Sequence, residues 1–524
     1  MMMVDPIETG LENGWKHIDA SQLNNDQYLE TDVVIVGTGA GGGIAAEQLT
    51  KAGHKVIMLE AGSLRSSSEF DMEERTAYPN LYQQAAAMKT NDSTIGIFQG
   101  RTVGGSTTIN WTTSIRTPEL TLKYWGENYG IKEISPSELK PWFEEAEQRL
   151  NIKQWPVPPN PNNQSLLDGC NQLQWQHTVI KRNVKGCWNL GYCGMGCPTN
   201  AKQSMLVTTV PSALNRGATL ITNAKAINLQ HSKRTVLGLD AVALNQMKQP
   251  TGHKIHIVAK RYILATGAIH TPVLLMRSNT PDPYHLLGKR TFLHPVLLSG
   301  ALFDKAINGH SGAPQSIYSD EFLWRDGVEG ELGYKLEVPP IHPLLVASKT
   351  LGFGKSHAEL MRDLNQLQVT IALIRDGFNS ESQGGEVKLT RNSFEIDYPL
   401  TDTFWRAARA SFVSMAELQF AAGAQKVLPI NDGMSYLNSW SQAKSSIETM
   451  SLAKLKTVIA SAHVMGGCPM GEKLETSMVN SYGQHHYLDN LSVMDGSVFP
   501  TSVGANPQLS IYGMAMRNCS SLSL

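Results

Sequence analysis

Three glycines and one acid carry the first recognisable chemistry. Gly37, Gly39 and Gly42 form G-x-G-x-x-G, and Glu60 follows 23 residues after the first of them. In such a turn the first glycine permits a sharp bend, the second lets backbone approach a pyrophosphate, and the third lets a helix pack close on a strand. The anion then rests on free N–H groups at the helix N-terminus, and a carboxylate placed like Glu60 accepts the hydroxyls of a ribose. Thr38, Ala40 and Ala61 flank these positions and complete the candidate binding turn. A second group is Cys187, Cys193 and Cys197, spaced C-x5-C-x3-C in GCWNLGYCGMGCP. Thiolates so close can hold an iron–sulfur cluster. Zinc would need a fourth ligand, with Cys170 or His177 folding back. Two of the three could instead pair as a disulfide, or all three could be plain buried thiols.

The elements that must position the glycine turn are readable around it. Val33–Val36 is a β-branched run suited to a strand buried on both faces. Ile44, Ala45, Leu49 and Ala52 recur at helical spacing, Gly53 stops the helix, and Val56–Leu59 is a second buried strand ending at Glu60. Strand, turn, helix, strand and acid in register predict a dinucleotide-binding β-α-β unit. No second G-x-G-x-x-G follows, so there is no separate nicotinamide domain, and a tightly held flavin is expected rather than NAD. Later glycine-rich turns fit that reading: GRTVGGSTTIN (100–110), with Val103, Gly104, Gly105 and Thr107; ATGA (265–268), with Gly267; and MDGS (494–497). Their N–H groups can line a ribityl chain and an isoalloxazine ring.

Elsewhere, 135–150 reads as a surface helix capped by Ser135 or Ser137, and the Pro-rich stretch 154–165 as a linker. A second α/β block, 205–280, contains strand candidates Thr219–Thr222 and Ile255–Val258. Residues 285–455 mix strand patterns (EVKLT, SFEIDYP) with a long helix candidate at 403–422, and residues 1–29 read as a polar N-terminal arm. The chain of 524 residues is long enough for two or more domains. Its 45 Lys and Arg against 46 Asp and Glu leave a net charge of −1, which gives no footing to a nucleic-acid partner. No apolar run approaches the ~20 residues of a transmembrane helix. Asp5, Glu8 and Glu12 stand where a signal peptide would be basic, so a cytoplasmic protein is expected.

Five ordered segments together resemble the glucose–methanol–choline (GMC) oxidoreductase family: VVIVGTGAGGGIAAEQL…VIMLEAG, GRTVGGSTTIN, GAIHTPVLLMRS, SAHVMGGCPMG and NLSVMDGSVFPTSVGANPQLSIYGMAMR. The resemblance spans about residues 31–518. It implies an α/β protein, α+β overall. A Rossmann-like FAD-binding domain would be assembled from 30–120, 200–285 and 455–524, and a substrate-binding cap on a mixed or antiparallel sheet from 121–199 and 286–454. It also implies that His463, in H-x-x-G-x-C, and Asn506 face the flavin, with Asp495, Gly496, Asn506 and Pro507 returning to the cofactor. Asn110 would lie near the ring and the Ala226 backbone near the adenine. Ile109 occupies the position where some members attach the flavin through histidine, so non-covalent FAD is expected. His294, in TFLHP, matches a family D-H-P element only in part, because Leu293 replaces the acid, and is read as structural.

The implied activity is oxidation of an alcohol to the carbonyl. His463 would take the hydroxyl proton, Asn506 would hold the oxygen, and the hydride would pass from carbon to flavin N5. The cysteine loop resembles that of members acting on long-chain alcohols, which favours a primary alcohol with an apolar body. Electrons would leave to O₂, a quinone or a cytochrome, with a dehydrogenase favoured. The alternatives are a sugar or polyol dehydrogenase using an iron–sulfur cluster at Cys187, Cys193 and Cys197, a NAD-dependent dehydrogenase, and a non-catalytic flavin module.

Overall fold

A computed structural model describes residues 5–391 and 393–522. Its larger sheet has eight strands. Lys16–Asp19, Thr219–Thr222, Val56–Leu59, Gln27–Val36, Pro250–Leu264 and Leu491–Val493 run parallel, and Thr235–Leu244 with Ala224–Ser232 adds an antiparallel ribbon. The register brings Val36, Leu59, Leu264 and Val493 into one row across the sheet. Each of these residues ends a parallel strand and precedes one of the turns singled out from the sequence. Ligands of such sheets bind beyond the carboxyl ends of the strands, so the row collects those turns at one edge.

The second sheet has six strands: Tyr334–Glu337, Leu367–Ile374, Val296–Leu302, Ile459–Ser461, Ile95–Ile97 and Lys426–Pro429. Period-2 alternation divides its faces. Leu297, Ala372 and Ile374 pack with Phe404, Phe412 and Met415 of the long helix Asp402–Ala421. Val296, Val369, Ile371 and Leu373 point the other way and join Val346 and Leu360 of the short helices Pro343–Lys349 and Lys355–Arg362. A smaller sheet, Phe394–Asp397, Gly385–Leu389, Lys289–Phe292 and Met465–Gly466, adjoins these elements.

Several boundaries differ from those read off the sequence. Residues 1–29 are not a detached arm in their described part. Lys16–Asp19 pairs with Thr219–Thr222 as an edge strand, and Asp5 caps the helix Pro6–Glu12. Its polar alternation is that of a half-covered edge. The helices Glu119–Tyr129 and Pro136–Arg149 share a core with the larger sheet rather than with the cap, through Leu122, Trp125, Leu139 and Phe143. Conversely Ile95–Ile97 and Ile459–Ser461, which lie in segments expected to form the FAD domain, pair within the six-stranded sheet. The Pro-rich linker ends early, because Asn160 caps a helix with proline at its first position, Pro161–Leu173. Among the described residues no helix is long and apolar enough to cross a membrane.

Trp125 fastens the segment that carries Asn506. Its indole stacks on Phe499 with centroids 5.2 Å apart, and its Nε1 donates to Thr501 Oγ1 at 2.7 Å. Trp125→Ala removes a fully buried indole and should lower the unfolding free energy by about 3–5 kcal/mol. Denaturant titration measures this, and a loss under about 1 kcal/mol would contradict the role.

Candidate active site

One cavity of about 540 Å³ runs from Glu60 and Ala226, past the glycine turns, to His463 and Asn506, and on beneath the apolar face of the cap sheet. Its floor is the helix Ala40–Lys51, whose N-cap Gly39 offers no side-chain cap, so its first N–H groups are left without a capping side chain. Gly37 has a left-handed φ of +96°, and a Cβ on Gly41 would come within 1.5 Å of the Met494 carbonyl oxygen. No larger residue permits that approach. Thr38 ties the turns together. Its hydroxyl donates to Glu60 Oε2 at 2.7 Å and accepts from Gly104 N at 3.0 Å. Glu60 also accepts from the Thr38 and Gly62 amides, while burial raises its pKa.

Most of the expected cofactor residues reach this cavity. Gly37, Thr38, Gly39, Ala40, Glu60 and Ala61 line one end, and Gly105, Thr107, Asn110 and Ala226 line its sides. Gly267, Asp495, Gly496, Asn506 and Pro507 complete it. Gly42, Val103 and Gly104 stand behind it. A Cβ on Gly42 would meet Gly37 O at 2.0 Å, so that glycine serves packing. The Asp495 carboxylate is engaged by protein, accepting from Gly267 N at 2.8 Å, Thr271 Oγ1 at 2.6 Å and Ser497 N at 2.8 Å.

His463 and Asn506 meet, with the Asn506 amide nitrogen 3.5 Å from His463 Nε2. On its other side, His463 Nδ1 is 3.0 Å from His294 Nδ1. His294, read from the sequence as structural, thus contacts His463 without lining the cavity. The cause is a crossover between two sheets. Thr291 and Phe292 pair with Gly466 and Met465, while Val296 and Leu297 pair with Ala460 and Ile459. The second chain carries one extra residue between these ladders. There His294 takes a left-handed φ of +47°, and the two rings face each other. Burial, the largest cause, lowers the His463 pKa to about 4 and holds that of His294 well below the usual imidazole value.

Two charged residues escaped the sequence reading. Lys335 and Glu337, 1% and 0% exposed, form an ion pair at 2.6 Å, and Lys335 Nζ donates to Asn506 Oδ1 at 2.6 Å. Gln315 donates to Glu337 Oε2, and Thr113 to Gln315 at 2.6 Å. The available signal was two opposite charges in YKLEVPP, whose strand is buried along its whole length.

The cysteine triplet is not gathered as a metal-ligand set among the described residues. Among the described residues no group of three or more His, Cys, Asp or Glu is arranged to hold a metal ion, and Cys187, Cys193 and Cys197 are free thiols. The Asn189 amide donates to Cys187 Sγ at 3.3 Å, Arg182 to Cys193 Sγ at 3.6 Å, and the Lys202 amide to Cys197 Sγ at 3.4 Å. The iron–sulfur reading finds no support in this arrangement.

Sequence patterns of GMC oxidoreductases match residues 78–296 and 380–515. The chain belongs to the GMC oxidoreductase family. It is an enzyme of the class that acts on CH–OH donors. A GMC-type oxidoreductase of Sinorhizobium fredii, y4nJ, is 30% identical over 94% of this chain and 95% of its own. A long-chain-alcohol oxidase of Arabidopsis thaliana, FAO4B, is 28% identical over 95% of this chain and 68% of its own. Among solved structures, a pyridoxine 4-oxidase superposes with a TM-score of 0.68 at 16% identity, covering 94% of this chain and 98% of that one. A formate oxidase of Aspergillus oryzae, whose structure concerns modification of its FAD, gives 0.68 at 14% identity, over 95% and 98% of the two chains.

The burial of His463 in this GMC oxidoreductase has a consequence for pH. Burial disfavours the charged ring, so the imidazole stays neutral where a solvated one is protonated. The acid limb of the pH–rate profile for substrate oxidation should therefore fall near pH 4. A limb centred at 6.5 or above would contradict this.

Proposed function

We propose that this enzyme uses non-covalently held FAD to oxidise a primary alcohol with an apolar body to the aldehyde. The observation that carries the reading is the continuity of one cavity from the glycine cradle, past His463 and Asn506, to the apolar wall of the cap. The cradle fits the cofactor. Its helix N-terminus has no capping side chain, and its glycines let the surrounding turns pack closer than any Cβ would allow. Ala226 lies on the edge strand Ala224–Ser232 and lines the cavity, where its backbone can meet an adenine. Bound there, the flavin supplies the hydride acceptor.

The chain's own residues do the rest. His463 Nε2, neutral and facing the cavity side of Asn506, takes the hydroxyl proton. When the hydroxyl enters between them, the Asn506 amide N–H that faces His463 Nε2 donates instead to the substrate oxygen as it becomes an alkoxide, without competing for the proton. Leu298, Val369, Ile371 and Ile430 then hold the alkyl body against the cap sheet. The name of the Arabidopsis relative supports a long alkyl chain. An apolar wall offers few partners to sugar hydroxyls and so disfavours the polyol alternative.

The test is anaerobic bleaching of the flavin absorbance by primary alcohols of increasing chain length. Bleaching should strengthen with chain length, and His463→Ala should slow it ~10²–10⁴-fold with flavin content retained. Full-rate bleaching in His463→Ala, or bleaching by sugars alone, would overturn the reading. Re-oxidation by O₂ or by a quinone in the same cell identifies the acceptor.

A further inference from the structure

The mechanism requires one tautomer of His463, with the proton on Nδ1 and Nε2 bare. We infer that the buried Lys335–Glu337 pair selects this tautomer by fixing the orientation of the Asn506 amide. The inference rests on the reading of His463 as the base.

The chain of contacts runs in one direction. An ammonium only donates, so the Asn506 atom 2.6 Å from Lys335 Nζ is the amide oxygen. The amide nitrogen then faces Glu337 Oε2 at 3.4 Å and His463 Nε2 at 3.5 Å. The ion pair thus grips both ends of one amide, cation on oxygen and carboxylate on nitrogen. An NH₂ group only donates, so the His463 nitrogen it faces must present a lone pair. The remaining proton of the neutral ring is on Nδ1 and is donated to His294 Nδ1, 3.0 Å away.

Left to themselves, the two histidines would prefer the reverse. With His463 donating, His294 carries its own proton on Nε2, a buried atom without a partner. With the proton shifted, that atom would be an unpartnered acceptor, which is tolerated better than an unpartnered N–H. His463 Nε2 would then be protonated and useless as a base. The ion pair overrides this preference from the cap strand Tyr334–Glu337, and Gln315 steadies it through Glu337. Lys335 and Glu337 are therefore positioning residues. Their fields oppose each other at His463, Glu337 favouring the charged ring and Lys335 disfavouring it.

The holoenzyme with ¹⁵N-labelled histidine tests this without turnover. In the parent, one His463 nitrogen should give the signal of a bare Nε2. In Lys335→Met/Glu337→Gln, which removes both charges at similar volume, that signal should move to the protonated position. Oxidation of 1-dodecanol by the double variant should show kcat reduced ~100-fold, the scale of a lost general base. KM should change less than about threefold and flavin content not at all. Lys335→Arg, which still donates to the amide oxygen, should recover most of the rate and guards against a folding defect in the double variant. A bare Nε2 and undiminished kcat in the double variant, with His463→Ala inactive, would overturn the inference while leaving the base in place. Activity in His463→Ala would instead remove the reading beneath it.

Discussion

The larger sheet ends its parallel strands in one row, and the site depends on that alignment. Val36, Leu59, Leu264 and Val493 stop at the same level, so the chain leaves the sheet four times within reach of one ligand. Such close exits are possible because glycines stand where the turns touch. A Cβ on Gly37 would meet Ala265 O at 2.4 Å, and one on Gly41 would overlap Met494 O. The Thr38 hydroxyl then ties two of these exits, its own and that of Glu60, to the separate turn at Gly104. Binding chemistry here is mostly backbone chemistry, and side chains hold the backbone in place.

The end of the cavity at His463 depends on a different device, a strand pair that passes from one sheet into another. The one-residue mismatch between the ladders at 291–297 and 459–466 forces an irregular step, and the two histidines occupy it. A residue held with positive φ at such a step carries strain that the surrounding ladders must offset. The strain aims two neutral rings at each other in a dry pocket. The neighbouring ion pair acts on His463 with opposed effects, Glu337 raising and Lys335 lowering its pKa.

The cysteine loop is tied to this machinery mechanically. Lys202 Nζ is buried and donates to the carbonyls of Thr108, Asn110 and Cys193 at 2.6, 2.9 and 2.7 Å, and burial lowers its pKa to about 8. It fastens the loop to the turn that carries Asn110. Arg182, stacked 4.6 Å from the Trp155 ring centroid, meets the same loop from the other side. The thiols fill space among these donors, and their C-x5-C-x3-C spacing reflects a tight, glycine-rich loop.

Sequence alone determined whatever depends on near neighbours. The glycine turn, the buried strands around it and the carboxylate at Glu60 are set by φ, Cβ sterics and burial period over some thirty residues, and each leaves a local mark. The helix at Asp402–Ala421 and the strands Gly385–Leu389 and Phe394–Asp397 were legible for the same reason. His463 and Asn506 were legible only through resemblance, because neither has a local signature of its own. Tertiary structure alone decided which charges enter the site. Lys335 lies 171 residues from Asn506 and His294 lies 169 from His463, so no pattern along the chain relates them. It also decided that Lys16–Asp19 joins the sheet, since strand pairing depends on where distant segments meet.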